Sequence, residues 1–168
     1  MNNQKKSVNS PEENCYITKL GKGFTKPVWL PGMDASMMAE KEIKIVVIDD
    51  SPASITMYRR AADNLDVNLS SFESPREGFE HLRGERADLI FLGNLMRETD
   101  GLSLLRKVRE LEHHSQTPVV VMSTKDYDQD RQMARTLGAM DYLVKPVRSQ
   151  EIRDVIEKYT GARERPPS

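Results

Sequence analysis

Hydrophobic positions show no sustained period over roughly the first 40 residues, and from Ile43 onward they become regular. Ile45-Val46-Val47-Ile48 is a short, continuous apolar run, the pattern of a strand buried on both faces. Asp88-Leu89-Ile90-Phe91-Leu92, Val119-Val120-Val121-Met122 and Asp141-Tyr142-Leu143-Val144 repeat it. Val67-Asn68-Leu69 is weaker and more polar, as expected of a strand near an edge. Between these runs the spacing turns helical. Ile55, Tyr58, Ala62 and Leu65 recur behind Ser51-Pro52, an N-cap followed by a first-turn proline. Ser74-Pro75-Arg76-Glu77 is a capping box opening a helix that buries Phe79 and Leu82. Leu104, Leu105, Val108 and Leu111 mark a third helix, and Met133, Ala134 and Leu137 a fourth closed by Gly138. Ile152, Val155, Ile156 and Tyr159 mark a fifth, capped by Ser149 and ended by Gly161.

Strands and helices in strict alternation predict an α/β domain over residues 42–160, with a parallel sheet covered on both faces. Residues 1–41 read as a polar arm. Within it Tyr16-Ile17-Thr18-Lys19 and Phe24-Thr25-Lys26 flank Gly21-Lys22-Gly23, and Pro27-Val28-Trp29-Leu30 follows, so a hairpin docked through Trp29 is the alternative. Residues 161–168 form a polar tail, too short to fold alone.

Composition narrows the function classes. The 168 residues carry 25 basic and 26 acidic side chains, a net charge of −1, which favours neither nucleic acid nor an anionic membrane. The single cysteine, Cys15, has no internal partner, as expected in a reducing compartment. No stretch reads as a signal peptide or approaches the roughly 18 apolar residues of a membrane span. A soluble, cytoplasmic protein is expected.

Sheets of this kind bind ligands beyond the carboxyl ends of their strands. Asp49 and Asp50 follow the first core strand, Gly93 the third, Ser123 and Thr124 the fourth, and Lys145-Pro146 the fifth. Two carboxylates, a hydroxyl and an ammonium converging on one crevice suit a divalent cation and a phosphoryl group. Adjacent His113 and His114 do not share a helical face and read as the solvated end of the third helix.

Ile48-Asp49-Asp50, Asp100-Gly101, Ser123 and Leu137-Gly138-Ala139-Met140-Asp141-Tyr142-Leu143-Val144-Lys145-Pro146 resemble the response-regulator receiver domain, in order and spacing, from about Lys44 to Tyr159. The resemblance implies a doubly wound, flavodoxin-like fold with a five-stranded parallel sheet of order 2-1-3-4-5, and a non-enzymatic role in a two-component pathway. It implies that Asp49 and Asp50 hold Mg²⁺ with the backbone carbonyl of Leu95. Lys145 would pair with phosphoryl oxygens, Ser123 and Tyr142 would relay the event, and Pro146 would follow a cis peptide bond. A histidine kinase, a downstream effector or a second copy is the implied partner.

One position departs from the family. The acceptor aspartate is expected seven residues before Asp100, where this chain has Gly93. Glycine has no nucleophile, neighbouring Asn94 is a poor substitute, and Arg97 stands where the family usually has proline. Two readings follow: a pseudo-receiver acting by protein contacts, with only weak Mg²⁺ binding, or phosphotransfer through a displaced carboxylate, Asp100 or Glu98. In either case the surface expected to carry output, formed by the fourth helix, fifth strand and fifth helix, displays Asp128, Asp130, Arg131, Arg135, Asp141, Arg148, Glu151 and Arg153. Their mixed signs suit a weak, salt-sensitive homodimer or partner contact.

Overall fold

The computed structural model describes residues 14–17, 27–30 and 42–165. The chain divides into two compact units, Met1–Lys41 and Glu42–Ser168.

In the first unit β1 (Asn14–Ile17) pairs antiparallel with β2 (Pro27–Leu30), Cys15 opposite Trp29 and Ile17 opposite Pro27. The hairpin is therefore wider than the one expected around Gly21-Lys22-Gly23. The pairing selects Val28-Trp29-Leu30, with its β-branched and aromatic residues, over Phe24-Thr25-Lys26. A two-stranded ribbon consists only of edges, so Pro27 sits at a strand start without breaking a central ladder. The expected turn and the side chain of Trp29 lie outside the described residues.

The second unit runs β3 (Ile43–Ile48), α1 (Pro52–Ala62), β4 (Val67–Phe72), α2 (Pro75–Gly84), β5 (Leu89–Gly93), α3 (Gly101–Glu110), a 3₁₀ turn (Glu112–His114), β6 (Val119–Ser123), α4 (Asp128–Thr136), β7 (Asp141–Val144) and α5 (Ser149–Thr160). The five strands form one parallel sheet in the order β4-β3-β5-β6-β7. This is the 2-1-3-4-5 order, with β4 at an edge as its polar sequence requires.

Period-two alternation along the buried strands feeds two cores. Ile45, Val47, Phe91, Val120 and Met122 face α1 and α5, where Tyr58, Ile152 and Ile156 meet them. Val46, Ile48, Ile90, Leu92 and Val121 face the opposite layer, against Leu82, Leu104, Leu105 and Val108. Both faces are covered, which is why the strand sequences are continuously apolar; each buried aliphatic side chain contributes about 1.5–3 kcal/mol.

Four sequence expectations are corrected. His114 is not solvated: it is fully buried in the 3₁₀ turn. Its Nε2 faces the carbonyls of Leu82 at 3.1 Å and Glu85 at 3.0 Å, and Nδ1 lies 3.0 Å from the Thr117 hydroxyl. Two carbonyls at Nε2 require the proton there, so the imidazole ties the end of α2 to the chain before β6. Met133 is exposed, because α4 buries Ala134 and turns Met133 toward a groove of about 660 Å³ beside Leu102 and Arg106 of α3. Ser149 is the first residue of α5, not its cap. Arg148 holds that place, and its backbone N–H donates to the Glu151 carboxylate at 2.7 Å.

The fourth correction is the tail, whose first residues are built into the fold. Ala162 is buried, the Asp66 amide donates to the Arg163 carbonyl at 3.0 Å, and the Arg165 amide donates to the Asn64 carbonyl at 2.7 Å. A polar segment gains order here by pairing with the turn after α1; its own sequence carries no such signal.

Candidate functional site

Sheet order reverses where β3 lies between β4 and β5, and the chain ends at that point define a crevice. Asp49 and Asp50 leave β3 there, Gly93 ends β5, Ser123 ends β6 and Lys145 follows β7. Loop and helix starts fix these positions. The Ser51 amide donates to Asp49 Oδ1 at 3.1 Å, the Ser51 hydroxyl caps Ser54, and Pro52 opens α1. On the far side Gly101 begins α3 so close to β5 that its amide donates to the Asn94 carbonyl at 2.6 Å.

The carboxylates of the crevice are already engaged. Lys145 Nζ donates to Asp49 Oδ2 at 2.6 Å and to the Ser54 hydroxyl at 2.9 Å. These side chains are 17% and 2% exposed for Lys145 and Asp49, so the pair is held largely away from water. Removing one partner would strand a buried charge, which costs about 3–5 kcal/mol. Asp50 Oδ2 accepts from the Arg97 amide at 2.8 Å and from Arg97 Nε at 3.4 Å. Arg97 is 85% exposed, so this ion pair contributes about 0–1 kcal/mol and the backbone bond sets the geometry. Beside it Asp50, Arg97 and Glu98 share a hollow of about 300 Å³ with Glu73, Ser74 and Pro75. Leu95 forms an isolated antiparallel bridge with Asp100, and its side chain is exposed.

Resident Mg²⁺ demands near-octahedral oxygen ligation. Asp49 accepts from Lys145 and Ser51, and Asp50 Oδ2 from Arg97, so both carboxylates already carry hydrogen bonds. Among the described residues, no group of three or more His, Cys, Asp or Glu side chains is arranged to hold a metal. A cation entering here would have to displace Lys145 from Asp49 or Arg97 from Asp50.

Gly93 is buried at the end of β5, and no side chain projects from it into the crevice. Asp100 caps α3: its Oδ1 accepts from the Ser103 amide at 2.8 Å and its Oδ2 from the Ser103 hydroxyl at 2.6 Å. Partial burial opposes ionisation of Asp100, but the Ser103 bonds and backbone amides outweigh it and hold the carboxyl below its usual value.

Ser123 and Tyr142, expected to act together, lie on the neighbouring strands β6 and β7. Ser123 is buried, and its hydroxyl accepts from the Lys125 amide at 3.1 Å. Tyr142 is 4% exposed and its hydroxyl donates to the Lys125 carbonyl at 3.2 Å. Arg131 lies 5.1 Å from the centre of the Tyr142 ring, donates to the Tyr142 carbonyl at 3.2 Å and pairs with Asp126. The Lys145-Pro146 peptide is cis.

Several charges expected on the output surface are turned to internal use. Asp141 pairs with Lys158 at 3.5 Å and Arg153 with Glu164 at 3.4 Å, while Arg148 and Glu151 form the start of α5. Arg135 is exposed on α4.

Sequence reasoning passed over Ser54 and Arg109, and weighed Asn94 only as a substitute acceptor. Ser54 completes the Lys145 site from the third position of α1. Asn94 is 2% exposed and bonded to α4 and β7; its signal was a polar residue closing an otherwise apolar strand. Arg109 donates to the carbonyls of His114, Thr117 and Gly138 at 2.7–2.8 Å, which no local pattern announces.

A family model described as the response regulator receiver domain matches residues 45–157. The chain is 30% identical over 120 residues to the cyclic di-GMP phosphodiesterase response regulator RpfG of Xanthomonas campestris pv. campestris, across 70% of this chain and 32% of that protein. It thus spans about a third of that relative's length. It is 26% identical over 113 residues to protein PilH of Pseudomonas aeruginosa, across 67% of this chain and 93% of PilH. Among solved structures, the phosphorylated cyanobacterial phytochrome response regulator RcpA superposes with a TM-score of 0.67 at 23% identity, covering 76% of this chain and 99% of that one. That likeness is one of fold.

Proposed function

The chain belongs to the response-regulator receiver family, and from that premise we propose that it is a pseudo-receiver, a two-component signalling module whose output is set by protein contacts instead of phosphoryl transfer. Gly93 stands at the acceptor position in this reading. The observation that carries it is the Lys145–Asp49 pair, closed at 2.6 Å beside a β5 tip with no side chain. A phosphoryl group would need a nucleophile at that tip.

The displaced-acceptor alternative is disfavoured by Asp100, whose two oxygens serve the start of α3. Receiver domains are in general signalling modules and not enzymes, and they interact with histidine kinases and effectors. The partner is a kinase, an effector or a second copy, reached through α4, β7 and α5, and the setting is cytoplasmic. No described helix is long and apolar enough to cross a membrane.

Incubation with acetyl phosphate and Mg²⁺ followed by intact mass tests the proposal. An unchanged mass is expected; a phosphoryl adduct mapped to Asp100 or Glu98 would replace it with the alternative. Mg²⁺ titration is expected to give weaker binding than a receiver with three acidic ligands shows, because a cation must displace Arg97 or Lys145. Binding that survived Asp50→Ala would remove Asp50 from the site.

A further inference from the structure

Asn94 follows Gly93 directly, and its backbone has no freedom. Its amide donates to the Met122 carbonyl at 2.7 Å, and its carbonyl accepts from Gly101 at 2.6 Å, so it is held between β6 and the start of α3. From that fixed base a buried side chain crosses to two other elements. Nδ2 donates to Asp130 Oδ2 of α4 at 3.2 Å and to the Tyr142 hydroxyl of β7 at a longer 3.5 Å. The Tyr142 hydroxyl in turn donates to the Lys125 carbonyl at 3.2 Å, and the Lys125 amide donates to the Ser123 hydroxyl at 3.1 Å.

Donors and acceptors match throughout this chain. The amide has two N–H groups and uses both, and the phenol accepts one hydrogen bond and donates another. The contact to Asp130 is charge-assisted and stronger than a neutral one. A buried amide left without partners would be costly, so the network favours the arrangement in which α4, the loop after β6 and Tyr142 are all drawn toward the end of β5.

We propose that Asn94 is a built-in latch: it holds Tyr142 inward and α4 against the β5 tip permanently, fixing one output state without a ligand in the crevice. This rests on the pseudo-receiver reading and deepens it. Gly93 leaves the crevice without an input, and the next residue supplies the connection between β5 and the output elements. Asparagine suits the place because leucine, of similar size, has no donors, while aspartate would repel Asp130.

The test uses the full chain labelled with 3-fluorotyrosine, the Tyr142 fluorine resonance being assigned by its loss in Tyr142→Phe. No phosphodonor is present. The native protein is expected to show one buried Tyr142 resonance. In Asn94→Leu a solvent-exposed Tyr142 population is expected to rise about tenfold, the effect of losing the one neutral hydrogen bond that the Tyr142 hydroxyl accepts. Asp130→Ala, at a less buried position, should release Tyr142 in the same direction and to a smaller extent. If Asn94→Leu does not fold, Asp130→Ala decides alone.

A folded variant whose Tyr142 resonance matches the native one overturns the latch. The acetyl phosphate experiment separates this from the parent reading. An adduct together with a Tyr142 that responds to Asn94→Leu keeps the latch and removes the pseudo-receiver. An unmodified mass together with an unmoved Tyr142 does the reverse.

Discussion

At Gly93 the backbone is not in the left-handed region, which among the described glycines only Gly138 and Gly161 occupy, so any residue could adopt its conformation. What meets a new side chain is Asp49: a Cβ at position 93 would stand 3.2 Å from its Cγ and 3.4 Å from its Oδ2. That contact is tight but borders a side chain able to shift, and Lys145 lies close enough to share the added charge. Gly93→Asp is therefore expected to fold and to take up one phosphoryl group from acetyl phosphate and Mg²⁺, read by intact mass. A folded variant that stays unmodified would mean that Arg97 or the loop blocks the site. His114 offers a second residue-level test. Burial, and then the neighbouring charges of His113 and Arg109, hold its pKa below the ordinary 6.5, against the raising effect of the Glu85 and Leu82 carbonyls. The unfolded chain then takes up the proton first as pH falls. This group's contribution is complete above about pH 6.5 and is lost below it, down through the lower folded value. Urea midpoints should fall between about pH 7 and pH 5, and His114→Gln should flatten that slope.

Among elements, the start of α3 is the most sharply constrained. A Cβ on Gly101 would lie 2.2 Å from the Gly93 carbonyl oxygen and 2.8 Å from Asn94 Cα, both backbone atoms with nowhere to move. Gly101→Ala is expected to destabilise the domain by about 3 kcal/mol and to widen the β5–α3 junction, as judged by denaturant midpoint and amide exchange at Asn94. α5 shows a different dependence. Its C-terminal continuation, Ala162 to Arg165, closes against Asn64 to Asp66, so α1 and α5 are joined by backbone hydrogen bonds as well as by their shared core.

For the whole molecule, the question is what the α4–β7–α5 face presents. Pairing of Asp141, Arg153 and Arg131 with internal partners leaves fewer free charges than the sequence suggests. Self-association through this face should accordingly be weak and lost at high salt. Arg131 is an unsuitable probe because it also supports Tyr142. Exposed Arg135 is the better one. Sedimentation at low and high salt is expected to show a small dimer fraction at low salt that Arg135→Glu abolishes. A monomer under every condition would leave the face as solvated surface.

The sequence alone determined the sheet, its covered faces and the ends from which site residues project, because period and caps are local properties that tertiary contacts here reinforce. Continuous apolar runs meant burial on both sides, and Asp49, Asp50, Ser123 and Lys145 fell at strand ends by counting alone. Only the folded chain decided which charges meet. Lys145 turns to Asp49 and Ser54, Arg97 turns to Asp50, and Asn94 reaches α4 and β7, contacts spanning from 36 to 96 residues of chain. The burial of His114 and the ordering of residues 162–165 belong to the same class. Each depends on a carbonyl or carboxylate delivered by a distant element, and the strength of a polar contact is set by that partner and by the water excluded around it, neither of which a local pattern encodes.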